Sequence, residues 1–171
     1  MATLEQILQG RDDRYAMQTT LLRKYGLPLV SCTMNIPGPD KNSPLIQASF
    51  VKAKEIFAGR NQGILEEVAY RNLETGPECY YIVLGGTNLY ALKRRLAFFE
   101  QVFPIGRWLD LDLKGVDGVP ISRKDIVLEQ RRCLLCDRPA KECARSARHS
   151  IEDLLAYTEK ELKLFIAKGS G

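Results

Sequence analysis

Gly106-Arg107-Trp108-Leu109-Asp110-Leu111-Asp112-Leu113 is the stretch around which the chain is organised. Read with the two-residue period of a β-strand, it puts Leu109, Leu111 and Leu113 on one face and Trp108, Asp110 and Asp112 on the other. Burying each leucine is worth roughly 1.5–3 kcal/mol, enough to fix the register. The two carboxylates then point the same way, with Cβ atoms on the order of 7 Å apart. Like charges so placed repel, and a hard divalent cation with oxygen ligands is the usual remedy. Asp110 and Asp112 are therefore the candidate catalytic residues and candidate Mg²⁺ ligands, as phosphoryl or nucleotidyl transfer would need. The same pattern also fits two solvated aspartates on the exposed face of an edge strand.

Outward from this strand, Leu27 to Met34 reads as a buried strand, followed by the Pro37-Gly38-Pro39 loop. Ser43-Pro44 opens a helix with Ile46, Phe50, Ala53 and Phe57 on one stripe. Ile64–Leu73 and Cys79–Leu84 are strands divided by the turn Glu74-Thr75-Gly76-Pro77. Thr87 or Asn88 caps a helix with the stripe Leu89, Leu92, Leu96, Phe99 and Phe103, ended by Pro104. Lys93, Arg94 and Arg95 read as its solvated outer face. After the aspartate strand, Lys114 to Gly118 turns a hairpin into Val119-Pro120-Ile121.

Strand, helix, strand, strand, helix, strand is the split βαβ order. The expected class is α+β: a ferredoxin-like βαββαβ core with helices on one sheet face. Added to it are N-terminal helices over residues 3–25, joined at the charge cluster Arg11-Asp12-Asp13-Arg14. A C-terminal hairpin, a basic cysteine-rich segment and a last helix follow. We expect a single domain over 1–171, with a core of about 27–122, the basic segment at 123–149 and the last helix at 150–167. Ser150 and Asp153 mark that helix's start, and Lys168-Gly169-Ser170-Gly171 reads as a frayed tail.

The 171 residues are 45% hydrophobic and 27% charged, ordinary values for a globular chain with a proper core. The formal charge of +4 suits an anionic ligand and falls short of a nucleic-acid-binding tail. No apolar run is long enough to cross a bilayer, and the first residues lack the pattern of a secretory signal. Five cysteines, three of them clustered, point to a reducing compartment, so the expected location is the cytoplasm, with no membrane partner.

Composition shifts between the hairpin and the last helix. Arg123, Lys124, Arg131, Arg132, Arg138, Lys141, Arg145 and Arg148 lie there with Cys133, Cys136, Cys143 and His149. The cysteine spacing, two residues and then six, with the one histidine beyond, can supply a Cys₃His zinc site; buried free thiols packing a basic loop are the alternative. Arginine forks match phosphate oxygens bidentately, so this segment with Asp110 and Asp112 makes a metal half-site and a polyphosphate half-site. Arg107 reaches the same anion from the strand's end. There is no Gly-x-x-x-x-Gly-Lys-Ser/Thr loop and no Gly-x-Gly-x-x-Gly, and no serine carries the surroundings of a hydrolase nucleophile.

Taken together, several motifs resemble those of the apo-citrate lyase phosphoribosyl-dephospho-CoA transferases, also called citrate lyase holo-acyl-carrier-protein synthases. In order, they are Arg11-Asp12-Asp13-Arg14, Pro37-Gly38-Pro39, Gly106 to Asp112, Ser122-Arg123-Lys124-Asp125 and Arg131-Arg132-Cys133-Leu134-Leu135-Cys136, continuing through Cys143-Ala144-Arg145 to His149. The resemblance spans about Arg11 to Leu155. It implies a nucleotidyltransferase-type reaction in which a serine of the citrate lyase acyl carrier protein, the small gamma subunit, attacks triphosphoribosyl-dephospho-CoA and diphosphate leaves. Asp110 and Asp112 would hold Mg²⁺. Arg107, Arg123, Lys124, Arg131 and Arg132 would hold the triphosphate, with Arg11 and Arg14 as further candidates steadied by Asp12 or Asp13. The base is not visible beyond Asp110 or Asp112 themselves. A basic surface suits an acidic carrier. Two rivals remain: a zinc- or thiol-stabilised basic module docking on nucleic acid, and a nucleoside-polyphosphate hydrolase using the same metal site. No stacking platform of aromatics is interleaved with the basic residues, so no nucleic-acid partner is expected.

Overall fold

In the computed structural model, which describes residues 3–168, five helices and two 3₁₀ turns surround one five-stranded antiparallel sheet. The elements run α1 (Leu4–Tyr25), β1 (Leu29–Met34), α2 (Pro44–Arg60), β2 (Leu65–Leu73), β3 (Gly76–Val83), α3 (Leu89–Val102), β4 (Leu109–Lys114), β5 (Pro120–Ile121), α4 (Ala140–Arg145) and α5 (Ile151–Ala167). The sheet order is β2-β3-β1-β4-β5. The class is α+β, as expected. Gly169 to Gly171 of the expected tail lie outside the described residues.

The local signals behave as their chemistry requires. Ser43 and Ser150 accept hydrogen bonds from the amides of Ile46 and Asp153 at the starts of α2 and α5, and Asn88, the second of the two candidates, caps α3 through the amide of Ala91. Along β4 the leucines are buried, 1% exposed or less. They meet α2, α3 and α5 in a core that includes Phe50, Phe57, Leu96, Phe99 and Phe165.

Four expectations need correction. The N-terminal segment is one helix rather than two joined at Arg11–Arg14: nothing there breaks it, and Thr3 and Gln6 close a capping box at its start. That helix covers the opposite sheet face, so helices lie on both faces. Met17, Leu21, Leu22 and Tyr25 form a stripe that packs on Leu29, Tyr80 and Ile82. The β2–β3 turn is tighter than expected, since Leu73 pairs directly with Gly76 and only Glu74 and Thr75 turn the chain. Trp108 does not share the aspartate face. It belongs to a 3₁₀ turn, Gly106–Trp108, is 2% exposed, and donates from Nε1 to Thr158 Oγ1 of α5 at 3.0 Å.

Gly106 lets that turn form. A Cβ there would lie 2.6 Å from the carbonyl oxygens of both Phe99 and Glu100, closer than any side chain is tolerated. β4 can start against the end of α3 because this position carries no side chain.

Candidate active site

Asp110 and Asp112 project from β4 toward the α1 face, where β1 sets two cross-strand rows. Thr33 lies between Glu78 of β3 and Asp110, and Ser31 lies between Tyr80 and Asp112. With strands about 4.8 Å apart, Glu78 and Asp110 stand roughly 10 Å from each other across the sheet. The last two turns of α1 seal their part of this face with Leu21, Leu22 and Tyr25. Its earlier turns instead reach down with polar groups: Gln18 Nε2 donates to Ser31 Oγ at 2.9 Å, and Arg14 Nε donates to Glu78 Oε2 at 2.9 Å. Arg71 also pairs with Glu78, whose side chain is 1% exposed. A polar strip on an otherwise sealed sheet face is costly unless its groups are paired, and here it leads to the two aspartates.

The outer edge of β4 is handled by α3. The Leu111 amide donates to Glu100 Oε1 at 2.8 Å, and Lys93 Nζ donates to the Leu111 carbonyl at 2.9 Å. Both α3 side chains are buried, so Lys93 is a structural donor to the strand and not the solvated charge its neighbours Arg94 and Arg95 are. Glu100 in turn is gripped by Arg123 and Arg131. Arg131 extends past the strand edge to Asp110 Oδ1 at 2.8 Å. One guanidinium thus ties α3, the edge of β4 and the aspartate face together.

Asp112 is exposed by surface area, yet the protein crowds around it. Burial first, and then the charge of Asp110, raise its pKa above the ordinary carboxylate value, against the opposing pull of Lys93 and Arg131. The pair therefore retains mutual repulsion despite Arg131, and an added cation would relieve it.

Beside Arg131 opens a cavity of about 860 Å³, walled by Arg107, Arg123, Arg131 and Arg132, by Pro37 of the proline loop and by Leu134. Arg107 is exposed and donates to the Arg132 carbonyl at 3.2 Å. Arg132 is exposed and held only by distant carboxylates, 3.8 Å to Glu129 and 3.7 Å to Asp137, which leaves its fork available. The other candidates sit elsewhere. Lys124 is exposed in the 3₁₀ turn Lys124–Ile126 and is not part of the cavity wall. That turn is held by Asp125, which accepts from the amide and hydroxyl of Ser122; those bonds lower its pKa. Arg11 is exposed on α1. Arg14 is engaged by Glu78 and not by Asp12 or Asp13; Asp13 instead accepts from Gln9.

The cysteines and histidine of the basic segment converge next to the same cavity. Ligand atoms of Cys133, Cys136, Cys143 and His149 all lie within 4.8 Å of one another. The Arg138 backbone amide and then His149 lower the Cys136 thiol pKa to about 6.

Sequence reasoning missed Glu100, Glu78 and Arg71. For Glu100 a signal existed: Lys93, Ala97 and Glu100 recur at i, i+4 and i+7, a second stripe beside the leucine–phenylalanine one. A charged pair on a stripe next to the core is a candidate for buried pairing. Glu78 lies within a run of strand residues and carries no such mark.

Asp110 and Asp112 do not line the cavity; Arg131, which does, joins Asp110 to it, and carboxylates and arginine wall together make a site for a polyanionic substrate. The model of the apo-citrate lyase phosphoribosyl-dephospho-CoA transferase family matches residues 2–165. A probable apo-citrate lyase phosphoribosyl-dephospho-CoA transferase of Vibrio cholerae serotype O1 is 36% identical over 165 residues, covering 92% of this chain and 90% of that protein. Apo-citrate lyase phosphoribosyl-dephospho-CoA transferases of Shigella boydii serotype 18 and Escherichia coli O157:H7 are each 34% identical over 160 residues, covering 92% of this chain and 86% of theirs. Fold, site and kinship define the class: this protein is an enzyme, a transferase. The chain belongs to the apo-citrate lyase phosphoribosyl-dephospho-CoA transferase family.

Proposed function

We propose that the protein transfers the phosphoribosyl-dephospho-CoA group from triphosphoribosyl-dephospho-CoA to a serine of the citrate lyase acyl carrier protein, with release of diphosphate. The observation that carries this reading is Arg131, whose guanidinium joins Asp110 to the arginine-walled cavity, so that a metal half-site and a phosphate half-site adjoin. The cavity, about 860 Å³, is of a size for a nucleotide-like ligand.

In this reading the serine oxygen attacks the phosphorus nearest the ribose, and a new P–O bond forms as the bond to diphosphate breaks. Diphosphate leaves with that electron pair. Asp112, whose raised pKa makes it a stronger base than an ordinary carboxylate, is the carboxylate assigned to take the serine proton. Arg107, Arg123, Arg131 and Arg132 neutralise the departing phosphates. Asp110 and Asp112 share one strand face and repel each other, which fits a Mg²⁺ ion; when bound it would supply charge neutralisation and alignment of the attacking and leaving oxygens. Lys124, Arg11 and Arg14 do not line the cavity and are assigned no phosphate contact.

The sheet order β4-β1-β3-β2, with α2 and α3 as the crossovers, supports reading the core as ferredoxin-like. Five free cysteines support a reducing, cytoplasmic setting, and among the described residues no helix is long and apolar enough to cross a membrane.

The test is mass spectrometry of carrier protein incubated with enzyme, triphosphoribosyl-dephospho-CoA and Mg²⁺. Wild type adds the prosthetic-group mass. Asp110→Asn and Asp112→Asn abolish the addition while melting near wild type. Loss of folding in both variants, or full transfer by either, overturns the site assignment. A mass added without release of diphosphate overturns the reaction.

A further inference from the structure

We propose that Cys133, Cys136, Cys143 and His149 bind one structural Zn²⁺ ion, and that this ion holds in place the wall of the substrate cavity that carries Arg131 and Arg132.

The backbone builds the site in three pieces. First, the chain makes a small hairpin: the Cys133 amide donates to the Arg138 carbonyl at 2.7 Å, the Ala140 amide donates to the Arg131 carbonyl at 2.8 Å, and Arg132 bridges Pro139. Cys133 and Cys136 sit in the loop this hairpin closes, so their sulfurs turn to one side. Second, α4 turns Cys143 inward to meet them; Cys136 Sγ and Cys143 Sγ lie 3.5 Å apart, and Cys133 and Cys143 are 5% and 6% exposed. Third, the chain folds back after α4. Ala147 takes a positive φ of 43°, a left-handed conformation that alanine rarely adopts, and the Arg148 amide returns to the Cys143 carbonyl at 3.1 Å. That reversal places His149 Nε2 3.3 Å from Cys136 Sγ. Strain in a non-glycine residue persists where the surroundings over-determine it, and here it serves to bring in the fourth ligand.

Tetrahedral Zn²⁺, with about 2.3 Å to sulfur and about 2.0–2.1 Å to nitrogen, separates its ligand atoms by roughly 3.5–3.8 Å. A set in which every pair lies within 4.8 Å needs only small side-chain adjustment to reach that arrangement. The Arg138 backbone amide also donates to the Cys136 sulfur, the kind of outer bond that orients a thiolate ligand. The chain carries its own contrast. Cys32 and Cys79 face each other across β1 and β3 inside the apolar core and belong to no such cluster among the described residues. Those two behave as small hydrophobes. The other three converge with the only histidine of the sequence in a segment poor in apolar side chains.

Three thiolates on Zn²⁺ leave a net charge of −1, which the surrounding arginines of the segment offset. The ion would cross-link residues 133–149, and Arg131 and Arg132 immediately precede the first ligand. Metal binding of this kind is folding energy for the segment. This inference concerns how the segment is held and is independent of the transfer reaction, because its readouts are metal content and local order.

The experiment uses the full chain, expressed untagged and purified under reducing conditions without chelator. Elemental analysis returns close to one zinc per chain. Replacement by cobalt(II) gives the visible and thiolate charge-transfer bands of a tetrahedral sulfur-rich site. Cys136→Ser and His149→Ala each lose most of the metal at equal protein concentration, and His149→Cys retains it, which separates ligation from a packing role. Hydrogen exchange after chelation rises across 131–149 and stays unchanged in β1 and β3. A folded wild-type chain that contains no zinc and takes up no cobalt overturns the proposal. So does a disulfide between Cys136 and Cys143 in the freshly reduced protein, or metal retained in full by both ligand variants.

Discussion

Glu100 is the residue whose replacement tests the arrangement most directly. It is 4% exposed and accepts three times: from the Leu111 amide, from Arg123 and from Arg131. Glu100→Ala removes the two oxygens that accept all three bonds. The Leu111 amide, buried at the β4 edge, then has no partner, at a cost of about 1–3 kcal/mol. The two arginines are 24% and 29% exposed and can partly turn to water, so their loss is counted on the scale of solvent-accessible ion pairs, about 1 kcal/mol together. The sum is about 3 kcal/mol, or about 6–12 °C of melting temperature in a chain of this size.

Glu100→Gln keeps an acceptor for Leu111 and loses only the charge, which predicts about 1 kcal/mol and 2–4 °C. The assay is thermal denaturation followed by circular dichroism at neutral pH, with wild type, both variants, Asp110→Asn and the double variant Glu100→Gln/Asp110→Asn. Because Glu100 and Asp110 pull on the same Arg131 guanidinium, the double variant departs from additivity by about 0.5–1 kcal/mol. Equal melting of Glu100→Ala and wild type would refute the claim that this carboxylate caps the strand edge. Strict additivity would refute the shared guanidinium.

Three further outcomes follow from the same geometry. Gly106→Ala puts a methyl group 2.6 Å from two carbonyl oxygens of α3 and forces β4 away, costing about 2–3 kcal/mol by chemical denaturation. Arg107→Ala removes an exposed guanidinium of the cavity wall; initial-rate measurements show the KM for the triphosphate substrate raised roughly tenfold, the loss of about 1.4 kcal/mol of binding, with the melting temperature unchanged. Asp125 has a pKa lowered by its bonds from Ser122, so its contribution is present above the unfolded carboxylate value of about 3.9 and is lost as pH falls through the lower folded value. Asp125→Asn accordingly melts below wild type at pH 7, and the gap closes as melts are repeated toward pH 2.

The two halves of the site differ in how far the sequence reveals them, and the reason is where their information lies. Asp110 and Asp112 are legible because a period of two couples them to three leucines whose burial is not negotiable. Ser43, Asn88 and Ser150 are legible because a cap is a local bargain between one side chain and an amide two or three residues on. Trp108 was misassigned to the aspartate face because the strand period was extended one residue too far. What ends the strand before it is Gly106, whose close approach to α3 is a tertiary fact. Glu100 and Glu78 were missed for the same kind of reason: each is paired by arginines from remote parts of the chain, 23, 31 and 64 residues away, joined at Glu78 by Arg71 from the neighbouring strand. A buried carboxylate looks like any other until its partners are known. The α1 face shows the same logic at larger scale. Its apolar stripe states that α1 needs a surface, but only the sheet order determines that this surface lies beside the aspartates. Arg14 and Gln18 therefore roof the polar strip that leads to Asp110 and Asp112, where a reading of the segment by itself leaves them in solvent.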